Sequence, residues 1–532
     1  MRMFEKASGQ IIPASSRSAM TRRDVLAAGA AGVAATALPG IVRAAAPEGQ
    51  LTWGIHVSMT PTWFDPADTQ GIITPYMVLY ALHDGMAKDM PGKPQAPSLA
   101  ESWSTSPDHL THEFVLRQGV KFHNGEPVTA EDVKFSFERY RGTAHDTLKN
   151  RVASIEADGQ RVRFKLKEPW ADFLTFYTTA SGAGWIVPKK YVEKVGDDGF
   201  KKAPIGAGPY KFVSFNPGVE LVLEAFDGYW RKTPHVKRLV MKMVPDEATR
   251  LAALKRGEVD IAYSIRGELA EELRQTPGLT LKPVVLGAPN WLYFPEQWDP
   301  KSPWHDLKVR QAANLAIDRE GMSKALFLGY CKITNNAVVP ETFEYYWKPP
   351  AAVYDPAQAK KLMSEAGHPG GFDAGLMYCD SSYANMAEVS INNLAAIGIR
   401  VKLQPIERAG FFAGYAAKKY ARGIVQAASG AFGNAATRME AFVVKGGAFA
   451  YGSYPDIDEL FPKQAEELDP AKRKALLAKM QQLVHEKAIF SPIWQLGFLN
   501  GVGPRVGESG FDRIPGFAYT APFEDITIKG KA

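Results

Sequence analysis

Cysteine is scarce in this chain: its 532 residues contain only Cys331 and Cys379. That excludes a disulfide-built scaffold and any multi-cysteine zinc site. The two thiols can form one bond in an oxidising compartment or stay apart, and spacing does not choose between them. The common catalytic motifs are also missing. His485-Glu486 continues as Lys487-Ala488-Ile489, and His112-Glu113 as Phe114-Val115-Leu116, so neither opens an HExxH zinc motif. There is no CxxC, no GxSxG elbow and no Walker A loop. Gly206-Ala207-Gly208-Pro209 lacks the third glycine of a dinucleotide fingerprint and places proline where the helix should begin. The ten histidines are scattered, with only His109 and His112 close together. No catalytic residue, no bound metal and no cofactor is therefore expected. After residue 45 there is no internal repeat, no low-complexity segment and no run apolar enough to cross a membrane.

What is present reads as an ordinary globular chain, 45% hydrophobic and 23% charged. Single cores stop growing at about 250–300 residues, so two or three lobes are expected. Eleven Trp, 20 Tyr and 28 Phe suit large apolar interfaces or a stacking pocket.

The first 44 residues read as an export signal. Thr21-Arg22-Arg23-Asp24 opens an uncharged Ala/Gly stretch from Val25 to Val42, which ends in Val42-Arg43-Ala44. Paired arginines before a weakly hydrophobic run suit a twin-arginine signal cleaved before Ala45. A transmembrane anchor is the alternative, but a run this rich in Gly and Ala is a poor span. Residues 1–44 carry six Arg or Lys and two acids, hence four of the six net positive charges. The mature chain is then close to neutral, which argues against nucleic acid as a partner. No cysteine follows the run to take a lipid, so a soluble periplasmic protein is expected.

Local patterns supply the elements. Leu51–Val57 reads as a strand, Tyr76–Leu82 as a helix, and Arg161 to Lys167 alternates as a strand. Thr129-Ala130-Glu131-Asp132 is a capping-box variant that starts a helix towards Tyr140. Strands over 219–225 and 238–244, a helix over 246–256 closed by Gly257, and a strand over 259–263 imply a parallel or mixed sheet. Asp306 opens a helix to Leu328, Asp355-Pro356 and Asp469-Pro470 open two more, and 399–403 alternates along a strand.

Several of these stretches resemble family 5 of the extracellular solute-binding proteins. The most specific is Leu99-Ala100-Glu101-Ser102-Trp103, which runs through Phe114-Val115-Leu116-Arg117-Gln118-Gly119-Val120-Lys121-Phe122-His123-Asn124-Gly125 to Thr129-Ala130-Glu131-Asp132. Downstream come Gly206-Ala207-Gly208-Pro209-Tyr210, Tyr229-Trp230, Pro245-Asp246-Glu247-Ala248-Thr249-Arg250 and Asp306-Leu307-Lys308-Val309-Arg310-Gln311-Ala312. Most of these residues are scaffold by chemistry, and Arg310 and Asp318 are expected to hold the far lobe together.

The resemblance implies an α/β, two-lobed periplasmic-binding-protein fold with crossing hinge strands and an extra subdomain. Lobe I takes 45–85, 206–288 and 490–532, the inserted subdomain 86–205, and lobe II 289–489. It implies a monomeric, non-enzymatic substrate-binding component of an ABC importer that closes on a small polar organic solute, peptide-like or opine-like. The partner would be a permease in the inner membrane. A sensory or chaperone-like binding protein, or a periplasmic enzyme, are the alternatives on the same scaffold.

Expected ligand-binding residues are Thr69, Gln70 and Arg266 from lobe I, then Trp291, Tyr293, Phe432 and Asn434 from across the hinge. Trp and Tyr offer stacking faces with little rotamer entropy to lose, and Arg266 can fork onto a carboxylate. Peptide-binding relatives carry an acid for the α-ammonium where this chain reads Ser429-Gly430-Ala431-Phe432-Gly433-Asn434-Ala435-Ala436. The missing acid implies weak dipeptide binding, and the missing His weakens a nickel-chelate reading.

Overall fold

The computed structural model describes residues 47–529, apart from 70–71, 179–180, 430–432, 515–516 and 518–519. The export-signal expectation at 1–44 and the site expectations at Gln70 and Phe432 lie outside the described residues.

Two long antiparallel strands, Thr280–Tyr293 and Phe490–Val502, carry the architecture. Their register slips between Val285 and Pro289, so that residues 286–288 bulge opposite Leu496 alone. The sequence explains the slip: Pro283 and Pro289 lack an N–H for the ladder, and a Gly sits between them at 287. On one side of the bulge the pair joins Ile261–Ala262, Glu48–Ile55, Val236–Met243, Glu220–Ala225 and Tyr210–Asn216. On the other it joins Ile424–Ala428, Phe372–Asp380 and Ile399–Ile406, and with Lys332–Ile333 paired to Phe490–Val502 one eleven-stranded sheet results. Each half has parallel neighbours, Glu48–Ile55 beside Val236–Met243 and Phe372–Asp380 beside Ile399–Ile406. Helices such as Ala384–Ala395 supply the crossovers such neighbours need.

A separate antiparallel sheet of Ala100–Thr105, Thr111–Leu116, Arg161–Leu166 and Val152–Asp158 forms the core of the inserted segment. The strand at 161–166 alternates exposed and buried as its pattern demands, putting Val162, Phe164 and Leu166 inside. Thr129 and Asp132 make the reciprocal capping box for Ala130–Arg139, whose Val133 and Phe137 pack on the same core. After Val502 the chain returns to the first half, where Phe517 stacks on Tyr76 at 3.6 Å and Phe511 meets Trp53 edge-on.

Two local expectations need correction. The helix expected from Asp306 to Leu328 is two helices, Leu307–Ala316 and Arg319–Phe327. The break comes at Asp318, whose carboxylate accepts from the Gly321 N–H at 2.9 Å and so restarts the helix as an N-cap. Of the strand expected at 259–263, only Ile261–Ala262 is paired. Arg310 binds the carbonyls of Trp304, His305, Lys487 and Ala488, the lobe-holding role its chemistry suggested. Cys331 and Cys379 are separate buried thiols, each pushed up to about 12 by burial.

Asp89, in the strand Ala87–Met90, is an acid with no ion-pair partner among the described residues, its Oδ1 accepting from the Gln95 N–H at 3.3 Å. It is fully buried, Oδ2 has no hydrogen-bond partner, and burial pushes the carboxyl up to about 8. A carboxyl whose folded pKa exceeds its unfolded value favours folding fully only below the unfolded value, and the benefit is lost as pH rises through the folded one. Asp89→Asn is therefore expected to raise stability at pH 7 by about 2 kcal/mol or more. The gain should shrink as pH falls towards 4. Urea unfolding of both proteins at pH 4, 5.5 and 7 measures this, and a gain independent of pH would contradict it.

Candidate ligand-binding site

A cavity of about 360 Å³ opens where the two halves and the inserted sheet meet. Thr69, Ile72 and Ile73 line it from the first half, Tyr140, Thr147 and Arg151 from the inserted segment, and Ser429, Arg438 and Glu440 from the second half. The helix Ala435–Phe442 forms most of the last wall. Asn434 opens it with a capping box, its Oδ1 accepting from the Thr437 N–H and Thr437 Oγ1 accepting from its own N–H, both at 3.1 Å. Behind that helix Phe442 stacks on Phe449 at 4.9 Å, giving the wall an apolar floor.

The charged groups at the cavity differ in how they are compensated. Glu440 Oε1 accepts from Thr147 Oγ1 at 2.8 Å and from Arg151 at 3.3 Å, while Oε2 is buried without a partner. Burial raises the Glu440 carboxyl above its usual range, against the lowering effect of Arg151. Arg408 pairs with Asp380. Arg438 donates to Val338 O at 2.5 Å, Ser429 Oγ at 2.9 Å and Ser429 O at 3.1 Å, and burial lowers it to about 9.

Beside the cavity a buried ionic cluster ties the inserted segment to the second half. Asp172 pairs with Arg473 and accepts from Asn434 Nδ2 at 2.6 Å, and Arg473 also binds Gln464. All four side chains are buried.

Of the expected site residues the structure describes, Thr69 lines the cavity, its hydroxyl donating to Asp65 O at 3.0 Å. Arg266 does not line it: its guanidinium is ion-paired with Glu247 and donates to Asn385 Oδ1 at 3.2 Å across the hinge. Trp291 sits one layer behind the wall, fully buried and edge-on to Phe442 at 5.2 Å. Tyr293 is also core, its hydroxyl accepting from Trp298 Nε1 and the Tyr451 N–H. Both lie in the first hinge strand, where burial on both faces leaves no side open to a ligand. Asn434 is spent on the helix cap and on Asp172. Arg438 and Glu440 were missed, although the cap at Asn434 places the next turn of helix on the same wall.

Residues 95–450 match the model of the bacterial extracellular solute-binding proteins, family 5. The chain belongs to that family. The glutathione-binding protein GsiB of Salmonella paratyphi A is 30% identical over 365 residues, 66% of this chain and 69% of the relative. Heme-binding protein A of Haemophilus influenzae is 26% identical over 487 residues, 82% and 84% of the two chains. Among solved structures, AgaA of A. tumefacien R10 with agropinic acid superposes with a TM-score of 0.77 at 26% identity, over 91% of this chain and 99% of the other. The periplasmic binding protein DppA of Helicobacter pylori, in complex with peptide STSA, shares the fold with a TM-score of 0.78 at 24% identity, over 91% and 98%. The family 5 protein described here is a substrate-binding component of an ABC importer, with the two-lobed fold of its structural neighbours.

The family resemblance pointed to a missing acid in the stretch leading to the cavity wall. Residues 429–436 hold none, but the helix they lead into brings Glu440 to the cavity wall. That acid is already held by Thr147 and Arg151.

Removing one member of a buried ion pair leaves the other charge unpaired, at a cost of about 3–5 kcal/mol. Asp172→Ala should accordingly destabilise this family 5 protein by about 3 kcal/mol. Adding Arg473→Met should recover part of the loss, since no unpaired charge then remains. A double-mutant cycle by urea unfolding tests the coupling, and strictly additive losses would contradict it.

Proposed function

We propose that the interlobe cavity captures a small polar organic solute, peptide-derived or opine-like, by hinge closure, and that the closed form is what the permease reads. The observation that carries this is the composition of the cavity wall. Both halves and the inserted segment contribute to it, so a ligand touching all three favours the closed arrangement through its differential contacts. Its volume of about 360 Å³ falls in the usual range for small-molecule sites, and it combines apolar walls with a few buried charges. GsiB, a glutathione-binding protein, and AgaA, solved with agropinic acid, give the same size class.

In this reading no covalent chemistry occurs and the ATPase is a separate chain. The mature protein begins near Ala45 after twin-arginine export, works as a soluble monomer in the periplasm, and has no nucleic-acid partner. The near-neutral charge of the mature sequence supports the last point.

Protein from Ala45 onward, refolded to strip any carried ligand, should be screened by thermal shift against peptides, amino-acid conjugates, sugar acids and metals. A ligand at 100 times its Kd adds about 2.7 kcal/mol. One compound class should give a saturable shift with one-to-one calorimetric stoichiometry. No shift from any class at millimolar concentration would refute solute capture.

A further inference from the structure

The buried arginines Arg266, Arg408 and Arg473 are ion-paired, and others are satisfied by several carbonyl oxygens. Arg250 donates to the carbonyls of Tyr263, Val244, Pro245 and Ser264. Arg319 donates to Pro492, Asn314 and Ile317 carbonyls and to Asn314 Oδ1. Neither lines the cavity, and both are scaffold. Arg438 differs in two respects. It is 1% exposed yet forms part of the cavity wall. It also makes fewer bonds, one from each nitrogen, which leaves one N–H on each terminal nitrogen without an acceptor among the described residues.

Nor does its charge have a partner among the described residues. The other charged groups on the wall are accounted for within the protein or by solvent: Arg151 with Glu440, Arg408 with Asp380, Asp146 with His145, and Lys445 exposed. No carboxylate pairs with Arg438 among the described residues. Its guanidinium lies instead over Phe442 at 4.4 Å, a weak substitute for a counter-ion. A buried charge is retained at low cost only when it is paired, so a wall cation without a partner marks where a ligand's anionic group belongs.

We propose that Arg438 is the anion-recognition residue of the cavity, and that the captured solute carries a carboxylate which pairs with its guanidinium. Ser429 completes the subsite. Its Oγ accepts from Arg438 at 2.9 Å, which leaves its own proton to donate to the same carboxylate. This assignment rests on the reading of the cavity as the solute site and narrows it to acids.

The test compares acids with their neutral amides on the refolded protein by thermal shift and calorimetry. Probes are succinate and glutarate against their diamides, α- and γ-linked di- and tripeptides against their C-terminal amides, and inorganic phosphate. The best acid should bind at least tenfold more tightly than its amide. Arg438→Met should reduce that ratio below threefold, with Arg438→Lys retaining part of it. The comparison of acid with amide on the parent protein stands even if Arg438→Met does not fold. Equal binding of acid and amide would overturn the role of Arg438 while leaving solute capture intact. Binding of phosphate but of no carboxylate would overturn the carboxylate class. Binding of neither acids nor amides would overturn the capture reading and this assignment with it.

Discussion

Everything functional in this molecule depends on one covalent constraint: the halves of the sheet are joined through two paired strands that slip register where they cross. A continuous ladder would make the sheet a rigid plate. The bulge at 286–288 interrupts the ladder at the crossing, which is where a rotation of one half against the other would concentrate. Proline at 283 and 289 makes that interruption a property of the sequence. The first half gains rigidity from the chain's return after Val502, which packs Phe511 and Phe523 edge-on to Trp53.

The inserted segment decides what closure means. Its sheet has its own aromatic core, and Asp172, Thr147 and Arg151 reach from it to the second half. One short helix, Ala435–Phe442, collects these contacts: Asn434 at its cap meets Asp172, and Glu440 two turns on meets Thr147 and Arg151. Arg438 lies between them on the cavity wall. The cavity wall and the contact between the inserted segment and the second half thus share one short helix.

The scaffold was far more legible in the sequence than the site. Capping residues act within a few positions of themselves, and Thr129 and Asp355 each cap the helix expected of them. Gly257 has φ of 71°, the left-handed turn assigned to it. Asp318 was read as a lobe-holding residue, and its capping geometry, which splits one helix into two, went unseen because the apolar pattern continues across it. The site depends on chain segments hundreds of residues apart, and residue type alone misleads there. Trp291 and Tyr293 have the chemistry of a stacking pocket, but residues 288–293 of their strand are buried on both faces. Arg266 has the chemistry of an anion fork, but Glu247 already occupies it. Arg438 and Glu440 lie just beyond residues 429–436, on the helix whose start the Asn434–Thr437 cap signals.

The central claim is that the halves close around a solute. Cysteines introduced at the exposed positions Glu131 and Lys474, one on the inserted segment and one on the second half, can carry spin labels, because Cys331 and Cys379 are buried. Distance distributions by pulsed electron resonance would then be compared without ligand and with a saturating solute identified by thermal shift. The account predicts a longer, broader distribution without ligand and a single shorter distance with it. An identical distribution in both states would contradict it.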